Sequence, residues 1–85
     1  MNKKIFTVYD SKAEIYLAPL FFKTSGEAIR AFADTVTNNN ETLMSKHPED
    51  YTLFEIGAWN DENASIIMLE SRISLANGIE YKEEK

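Results

Sequence analysis

Four stretches of the chain combine β-branched and aromatic residues with the alternation of apolar and polar positions that is typical of strands. The first two cover residues 4–9 and 15–22, and the other two cover residues 51–59 and 65–69. The second stretch contains Pro19. Because proline has no N–H to donate to a ladder, this strand is expected at a sheet edge or at a bulge.

A single main helix is predicted between the second and third strands. Thr24 and Glu27 stand three positions apart, the spacing of a capping box, in which each side chain bonds to the backbone near the other. The residues that follow repeat at helical spacing and form an apolar face: Ala28, Ile29, Phe32, Ala33 and Val36. The pattern predicts a helix over residues 25–37, and residues 41–46 are compatible with a short helical turn.

The order of these elements predicts an α+β domain, with an antiparallel sheet of about four strands in the order ββαββ and one helix packed on one face. In the third strand, the more apolar set is expected to face the core: Thr52, Phe54, Ile56 and Ala58. One short helix cannot cover a whole sheet. The uncovered face, with several of Tyr16, Phe21, Phe22 and Trp59 available to it, is expected to be an oligomer interface or a ligand platform.

The length of 85 residues limits what this fold can bury. We expect a single domain over residues 1–85, with residues 82–85 frayed. A domain of this size buries only roughly 64% of its unfolded surface and has little surplus stability. Because the chain has no cysteine, no disulfide can stabilise it. We therefore expect a homo-oligomer, most simply a dimer, in which shared core area adds stability.

The residues that usually carry catalysis are scarce. Without cysteine there are no thiol nucleophiles or thiolate ligands, and His47, the single histidine, precedes Pro48 in a predicted loop. The three glycines are too scattered for a phosphate-binding loop. We therefore predict no enzyme, no catalytic residue, no metal site and no cofactor. A minor alternative is a magnesium-dependent nuclease, which would need the fold to bring four carboxylates together: Glu49, Asp50, Asp61 and Glu62.

Charge divides the chain into unequal halves. The formal net charge is −5 at pH 7. Residues 1–48 carry six basic and five acidic residues, whereas residues 49–85 carry three basic and nine acidic ones. Contact with a phosphate backbone needs a local excess of Lys and Arg, so the N-terminal half is the better candidate for it. Aromatic residues interleaved with bases in this half are typical of proteins that hold single-stranded nucleic acid, because bases stack on rings while cations follow the phosphates.

Three segments carry a resemblance to a known family. They are Val8-Tyr-Asp-Ser-Lys-Ala-Glu14, Gly26-Glu-Ala-Ile-Arg-Ala-Phe-Ala-Asp34 and Lys46-His-Pro-Glu-Asp-Tyr-Thr-Leu-Phe-Glu-Ile-Gly57. The sequence resembles the small nonstructural protein of gokushoviruses, which are single-stranded-DNA bacteriophages of the microvirus group, over residues 5–83. This resemblance implies a DNA-binding protein that acts late in replication, when synthesis shifts to single-stranded genomes for packaging. It establishes no catalytic or ligand residues.

Two hypotheses of function follow. In the first, an oligomeric protein binds single-stranded DNA weakly and in a salt-sensitive way, because a chain of negative net charge repels DNA at long range. The residues expected to contact phosphate are Lys12, Lys23, Arg30 and Lys46, and those expected to stack on bases are Tyr9, Tyr16 and Trp59. In the second, the acidic surface of residues 49–85 binds a basic viral or host protein, without nucleic acid.

The hydropathy of the chain bears on its location. No apolar run approaches the roughly 20 residues of a membrane span, and the first residues lack the apolar stretch of a signal peptide. We therefore expect no membrane partner and a location in the host cytoplasm.

Overall fold

Five strands form one antiparallel sheet in the computed structural model, which describes residues 2–38 and 42–81. The strands are β1 (Asn2–Asp10), β2 (Ile15–Tyr16), β3 (Leu20–Phe22), β4 (Tyr51–Asn60) and β5 (Ser65–Asn77). Two α-helices, α1 (Ser25–Val36) and α2 (Leu43–Lys46), and two 3-10 turns, Pro48–Asp50 and Gly78–Tyr81, lie between and after them. The α+β class is confirmed. The expected fraying of residues 82–85 lies outside the described residues.

The strands lie in the order β2-β1-β4-β5, and β3 also pairs with β1. Because β2 pairs with one end of β1 and β3 with the other, these two short strands lie end to end along one edge of the sheet. Pro19 stands in the break between them, and the prediction that it would lie at an edge is confirmed. The order ββαββ is wrong, since this break divides the predicted second strand in two and α2 adds a second short helix.

The core lies between α1 and one face of the sheet. Its buried residues are Phe6, Val8, Ala28, Phe32, Val36, Tyr51, Leu53 and Ala76. The apolar spacing of α1 therefore predicted both the helix and the face that it buries, and its observed end at Val36 is one residue short of the predicted end.

The prediction of the core-facing residues of β4 is wrong for Thr52, Phe54 and Ile56, whereas Ala58, beyond the bulge, lies on the helix side through its pairing with Lys4. Tyr51 and Leu53 are buried in the core, whereas Phe54 is half-buried and lies on the opposite face. The register between β1 and β4 shifts after Ile5, which pairs with Gly57, while Phe6 pairs with Glu55. The extra residue of β4 forms a bulge, which reverses the alternation of side chains along the strand.

The same bulge affects β5. Glu55 pairs with Ile73, whereas Gly57 pairs with Met68, so residues 69–72 of β5 stand opposite a single residue of β4. At Gly57 an added Cβ atom would lie 2.6 Å from the carbonyl oxygen of Ile67, so only glycine lets the two strands approach this closely. The strand extends to Asn77, eight residues beyond the predicted end, with this wide bulge in its middle.

The N-terminus of α1 has a side-chain cap. The Oγ1 atom of Thr24 accepts a hydrogen bond from the backbone N–H of Glu27 at 3.1 Å. The Oε1 atom of Glu27 accepts in turn from the backbone N–H of Lys23 at 3.0 Å, one residue before the predicted partner. The cap satisfies backbone donors that the first helical turn leaves without a partner.

Replacing Thr24 with alanine is expected to lower the free energy of unfolding by about 1 kcal/mol, because it removes this acceptor. Thr24→Ser, which keeps the hydroxyl group, is the matched control and should stay close to the wild type. Urea denaturation followed by circular dichroism measures both variants. Equal midpoints for alanine and serine would show that the cap does not stabilise the helix.

Candidate nucleic-acid interface

The sheet face turned away from α1, called here the open face, carries a row of aromatic side chains. Cross-strand partners in the ladder share a face, and the pairs Tyr9 with Tyr16, Thr7 with Phe54, and Ile5 with Phe21 all place their members on this side. Beyond the bulge, Trp59 joins them through its pairing with Lys3. Phe22, in contrast, packs against the core and forms an edge-to-face contact with Phe6.

The rings of this row contact one another in two groups. At the end near the β1–β2 turn, the ring centroids of Tyr9 and Tyr16 are 4.6 Å apart, and those of Tyr16 and Phe54 are 6.2 Å apart. Toward the β4–β5 turn, Phe21 and Trp59 form an edge-to-face pair at 6.4 Å. Tyr16 and Phe21 remain 45% and 44% exposed. The open face therefore presents ring surface to solvent.

A cation lies over the first group of rings. The Cζ atom of Arg72 is 5.3 Å from the ring centroid of Tyr16 and 5.4 Å from that of Phe54. Attraction of a guanidinium to an aromatic ring at such distances is worth about 0.5–1 kcal/mol at an exposed site. The bulge of β5 positions Arg72, because residues 69–72 have no regular partner on β4. The guanidinium group of Arg72 therefore contacts both aromatic rings on the open face.

These residues border a groove of about 630 Å³. It is lined by Phe54 and Ile56 of β4, by residues 68–72 of β5, which include the bulge, and by three residues around the break in the sheet edge: Tyr16, Leu17 and Pro19. The buried hydroxyl group of Thr7 also borders the groove and donates a hydrogen bond to the carbonyl oxygen of Leu17 at 2.7 Å. The groove therefore lies between the break at Pro19 and the bulge of β5.

The predicted site residues divide between two layers of the molecule. Tyr9, Tyr16 and Trp59 share the open face. Arg30 and Lys46 are exposed on α1 and α2, in the helical layer. The two remaining cations, Lys12 and Lys23, are exposed in the β1–β2 turn and before α1. The structure therefore brings the three predicted aromatic residues to one face, while the four predicted cations lie on four different segments of the chain.

The β1–β2 turn places Lys12 just beyond the pair formed by Tyr9 and Tyr16. The Asp10 carboxylate holds this turn by accepting hydrogen bonds from the backbone N–H groups of Lys12 and Ala13, at 3.0 and 3.2 Å. On the neighbouring strand, burial raises the pKa of Tyr51, and the nearby Asp10 carboxylate raises it further. The Tyr51 hydroxyl group therefore stays protonated beside the carboxylate that shapes the turn.

The carboxylates proposed for a magnesium site do not come together. Glu49 and Asp50 precede β4, whereas Asp61 and Glu62 follow it in the turn to β5. A ten-residue strand separates the two pairs by about 30 Å. His47 brings a potential ligand atom within 4.8 Å of those of Glu49 and Asp50, but exposed groups of this kind often lie close together without binding a metal ion.

Phe54 and Arg72, which contact Tyr16 in the groove, were not among the sequence-based candidates. Phe54 was assigned to the core because its strand set is the more apolar, and Arg72 lies beyond the predicted end of the fourth strand. Beyond Glu70, the apolar residues Ile73 and Leu75 continue the alternation of a strand. This pattern indicates that the fourth strand is longer than predicted and includes Arg72.

Within residues 2–38 and 42–81, no helix combines the length and apolar character needed to cross a membrane.

Comparisons with known proteins place the chain in a family. No curated protein and no solved structure matches the chain. A family model described as Phage ORF5 protein matches residues 3–81, which is nearly the whole sequence. The chain therefore belongs to the Phage ORF5 protein family and is a bacteriophage protein.

Proposed function

We propose that this phage protein binds single-stranded DNA on its open face, with bases stacking in the groove beside Tyr16, Phe54 and Arg72. The observation that carries the proposal is the guanidinium of Arg72 over two aromatic rings at 5.3 and 5.4 Å. Sequence-independent binding of single strands combines such rings with cations, because every base has a flat surface that can stack. The groove of about 630 Å³ lies open between two sheet irregularities and gives an unpaired base access to these side chains.

The charge of the chain sets the expected strength of this binding. A net charge of −5 repels DNA at long range, so affinity has to come from stacking and a few local phosphate contacts. Besides Arg72, the open face carries Lys3, which pairs with Trp59, and Lys12 lies in the turn at its other end. We therefore expect weak binding that falls steeply with salt.

The resemblance to gokushovirus nonstructural proteins supports a role for this binding. Such a protein would act in the host cytoplasm late in genome replication or packaging, when newly made single strands need to be held apart from their complement. Stacking that does not depend on base identity suits a protein that holds single strands, since every part of the genome becomes single-stranded before packaging.

Arg72→Gln is expected to weaken binding of a labelled oligothymidylate about fivefold at low salt, because it removes one cation from the groove and loosens the ring cluster. Arg30→Gln is the matched control, since Arg30 is an exposed arginine of the helical layer. It should leave the affinity within about twofold of the wild type. Fluorescence anisotropy of the DNA measures both variants, and the emission of Trp59, the single tryptophan, reports contact with the open face.

Each outcome of this titration has a definite meaning. No binding by the wild type at low salt would refute DNA binding. Binding of a basic peptide under the same conditions would favour the second hypothesis, in which the acidic surface of residues 49–85 binds a basic protein. An equal loss for Arg30→Gln and Arg72→Gln would show that binding is not confined to the open face. A loss for Arg72→Gln alone supports the proposed site.

A further inference from the structure

The outer edge of β5 is a long strand edge without a neighbour. In the part of the chain that the structure describes, β5 has 13 residues and pairs with β4 alone. A strand at such an edge presents unpaired N–H and C=O groups, which serve as a template for pairing with another chain. Proteins usually protect these edges with charged residues, proline or a bulge.

The first part of β5 lacks these protective features. Residues 65–69 read Ser-Ile-Ile-Met-Leu, without a charge, a proline or a glycine. Ile66, Ile67 and Met68 are 55%, 64% and 59% exposed. Three consecutive apolar side chains are thus exposed on both faces of an unpaired edge, although the bulge and the charges of Glu70 and Arg72 interrupt the strand further on.

We propose that this edge binds a second copy of the same chain, with residues 65–69 of the two copies pairing antiparallel about a two-fold axis at Ile67. In that register Ile67 lies opposite the partner's Ile67, and Ile66 lies opposite the partner's Met68. The faces agree, because Ile66 and Met68 both lie on the open face through their pairing with Trp59 and Gly57. The strand is therefore complementary to itself, as an isologous dimer interface requires.

The exposed apolar residues of β5 would contribute part of the interface of such a dimer. Five apolar residues of β5 are exposed: Ile66, Ile67, Met68, Leu69 and Ile73. Residues of this size expose roughly 165 Å² each in an unfolded chain, so their exposed fractions leave roughly 430 Å² of surface. A stable interface buries about 800 Å² on each partner. If fully covered, these five residues would supply about half of that area, although Ile73 lies beyond the paired segment. The rest would come from backbone and polar neighbours along the edge.

The dimer would also join the two open faces. A two-fold axis perpendicular to the sheet keeps the open face of both copies on the same side, so that a continuous sheet carries one groove on each side of the axis. As a consequence that rests on the proposed function, one DNA strand could engage both grooves. Two weak sites joined in this way bind more tightly than either one alone, because the second contact is intramolecular.

Light scattering on the purified protein tests the dimer. At tens of micromolar we expect a mass of twice 9.7 kDa. Ile67→Lys should weaken the dimer about tenfold or more, since it places two lysines opposite each other at the axis. Leu43→Lys is the matched control, because Leu43 on α2 is also 64% exposed. A monomeric wild type at this concentration, or an equal effect of both variants, would overturn the proposal.

Cysteine variants provide a second test that does not depend on a charge change. Because the chain has no cysteine, Ile67→Cys can form only a disulfide between copies. Side chains directly opposite in an antiparallel pair are close enough for such a bond with little adjustment. Mild oxidation should cross-link Ile67→Cys rapidly and Leu43→Cys slowly. Equal rates would contradict the register at Ile67.

The two proposals can fail separately. A dimer that shows no affinity for single-stranded DNA at low salt refutes the proposed function and leaves the interface intact. If Ile67→Lys is a folded monomer that still binds one oligonucleotide with reduced affinity, both proposals are supported. Circular dichroism of Ile67→Lys distinguishes loss of the dimer from loss of the fold.

Discussion

Replacing Phe6 with alanine is expected to lower the free energy of unfolding by about 3–5 kcal/mol. Phe6 is fully buried between the sheet and α1 and forms an edge-to-face contact with Phe22. Removing its ring loses transfer free energy and leaves a cavity. A domain of this length has roughly 4–13 kcal/mol of stability in total, so the variant is expected to be close to unfolding. Urea denaturation followed by circular dichroism measures the change.

Phe21→Ala is the matched control for this prediction. Phe21 belongs to the same sheet, but its side chain is 44% exposed on the open face, where it contacts Trp59. Its removal is expected to cost about 1–2 kcal/mol, less than the loss at Phe6, since nearly half of the Phe21 side chain is already in water. Similar losses for the two variants would mean that the core does not lie between α1 and the sheet.

Gly78→Ala is expected to cost about 2–3 kcal/mol, because an added methyl group has no room. Gly78 is buried at the end of β5, and a Cβ atom there would collide with the backbone carbonyl group of Pro48. This close approach joins the chain after β5 to the 3-10 turn that leads into β4. Backbone atoms cannot move aside as a flexible side chain can. Thermal and urea denaturation should both show the loss.

Gly26→Ala is the matched control, since the two glycines differ only in their surroundings. Gly26 lies in the first turn of α1, where an added Cβ atom would meet only the Oγ1 atom of Thr24, at 3.8 Å. Alanine has the higher helix propensity, so this variant is expected to be neutral or to gain up to about 1 kcal/mol. A neutral Gly78→Ala would show that the segment after β5 is free to move away from Pro48.

Local signals predicted the parts of the fold that depend on local interactions. The apolar spacing from Ala28 to Val36 and the cap at Thr24 are contained within one helix and its neighbours, so both could be read from the sequence. Pro19 likewise indicates an edge by its own chemistry, since it lacks a donor wherever it stands. The starts of β4 and β5 were predicted for the same reason, whereas the predicted second strand is divided at Pro19 and β5 extends eight residues beyond its predicted end.

The face of β4 could not be predicted, because it depends on a bulge between two strands. Alternation from Tyr51 to Trp59 offers two sets of side chains, and the more apolar set contains Phe54. The extra residue between Glu55 and Gly57 changes which set faces the core. A register shift is a property of a pair of strands, and neither strand carries it alone.

The same limit applies to the candidate site. The aromatic residues could be selected by type, and Tyr9, Tyr16 and Trp59 do share the open face. Arg72 reaches Tyr16 and Phe54 only because residues 69–72 bulge out of β5. Charge counts favoured the N-terminal half of the chain, yet the cation nearest these rings comes from the acidic half. Arg72 and Tyr16 are far apart in the sequence, yet they are neighbours on the sheet.

The break at Pro19 has a consequence for how far self-association can proceed. A sheet with two free edges can add copies without limit and grow into a filament. Here the edge formed by β2 and β3 is interrupted at Pro19, which has no N–H to offer, so it presents no continuous ladder to an incoming strand. In the dimer proposed above, the β5 edge of each copy would be occupied by the β5 edge of its partner. Pairing between these edges would then end at two chains, and the exposed apolar strand would be covered.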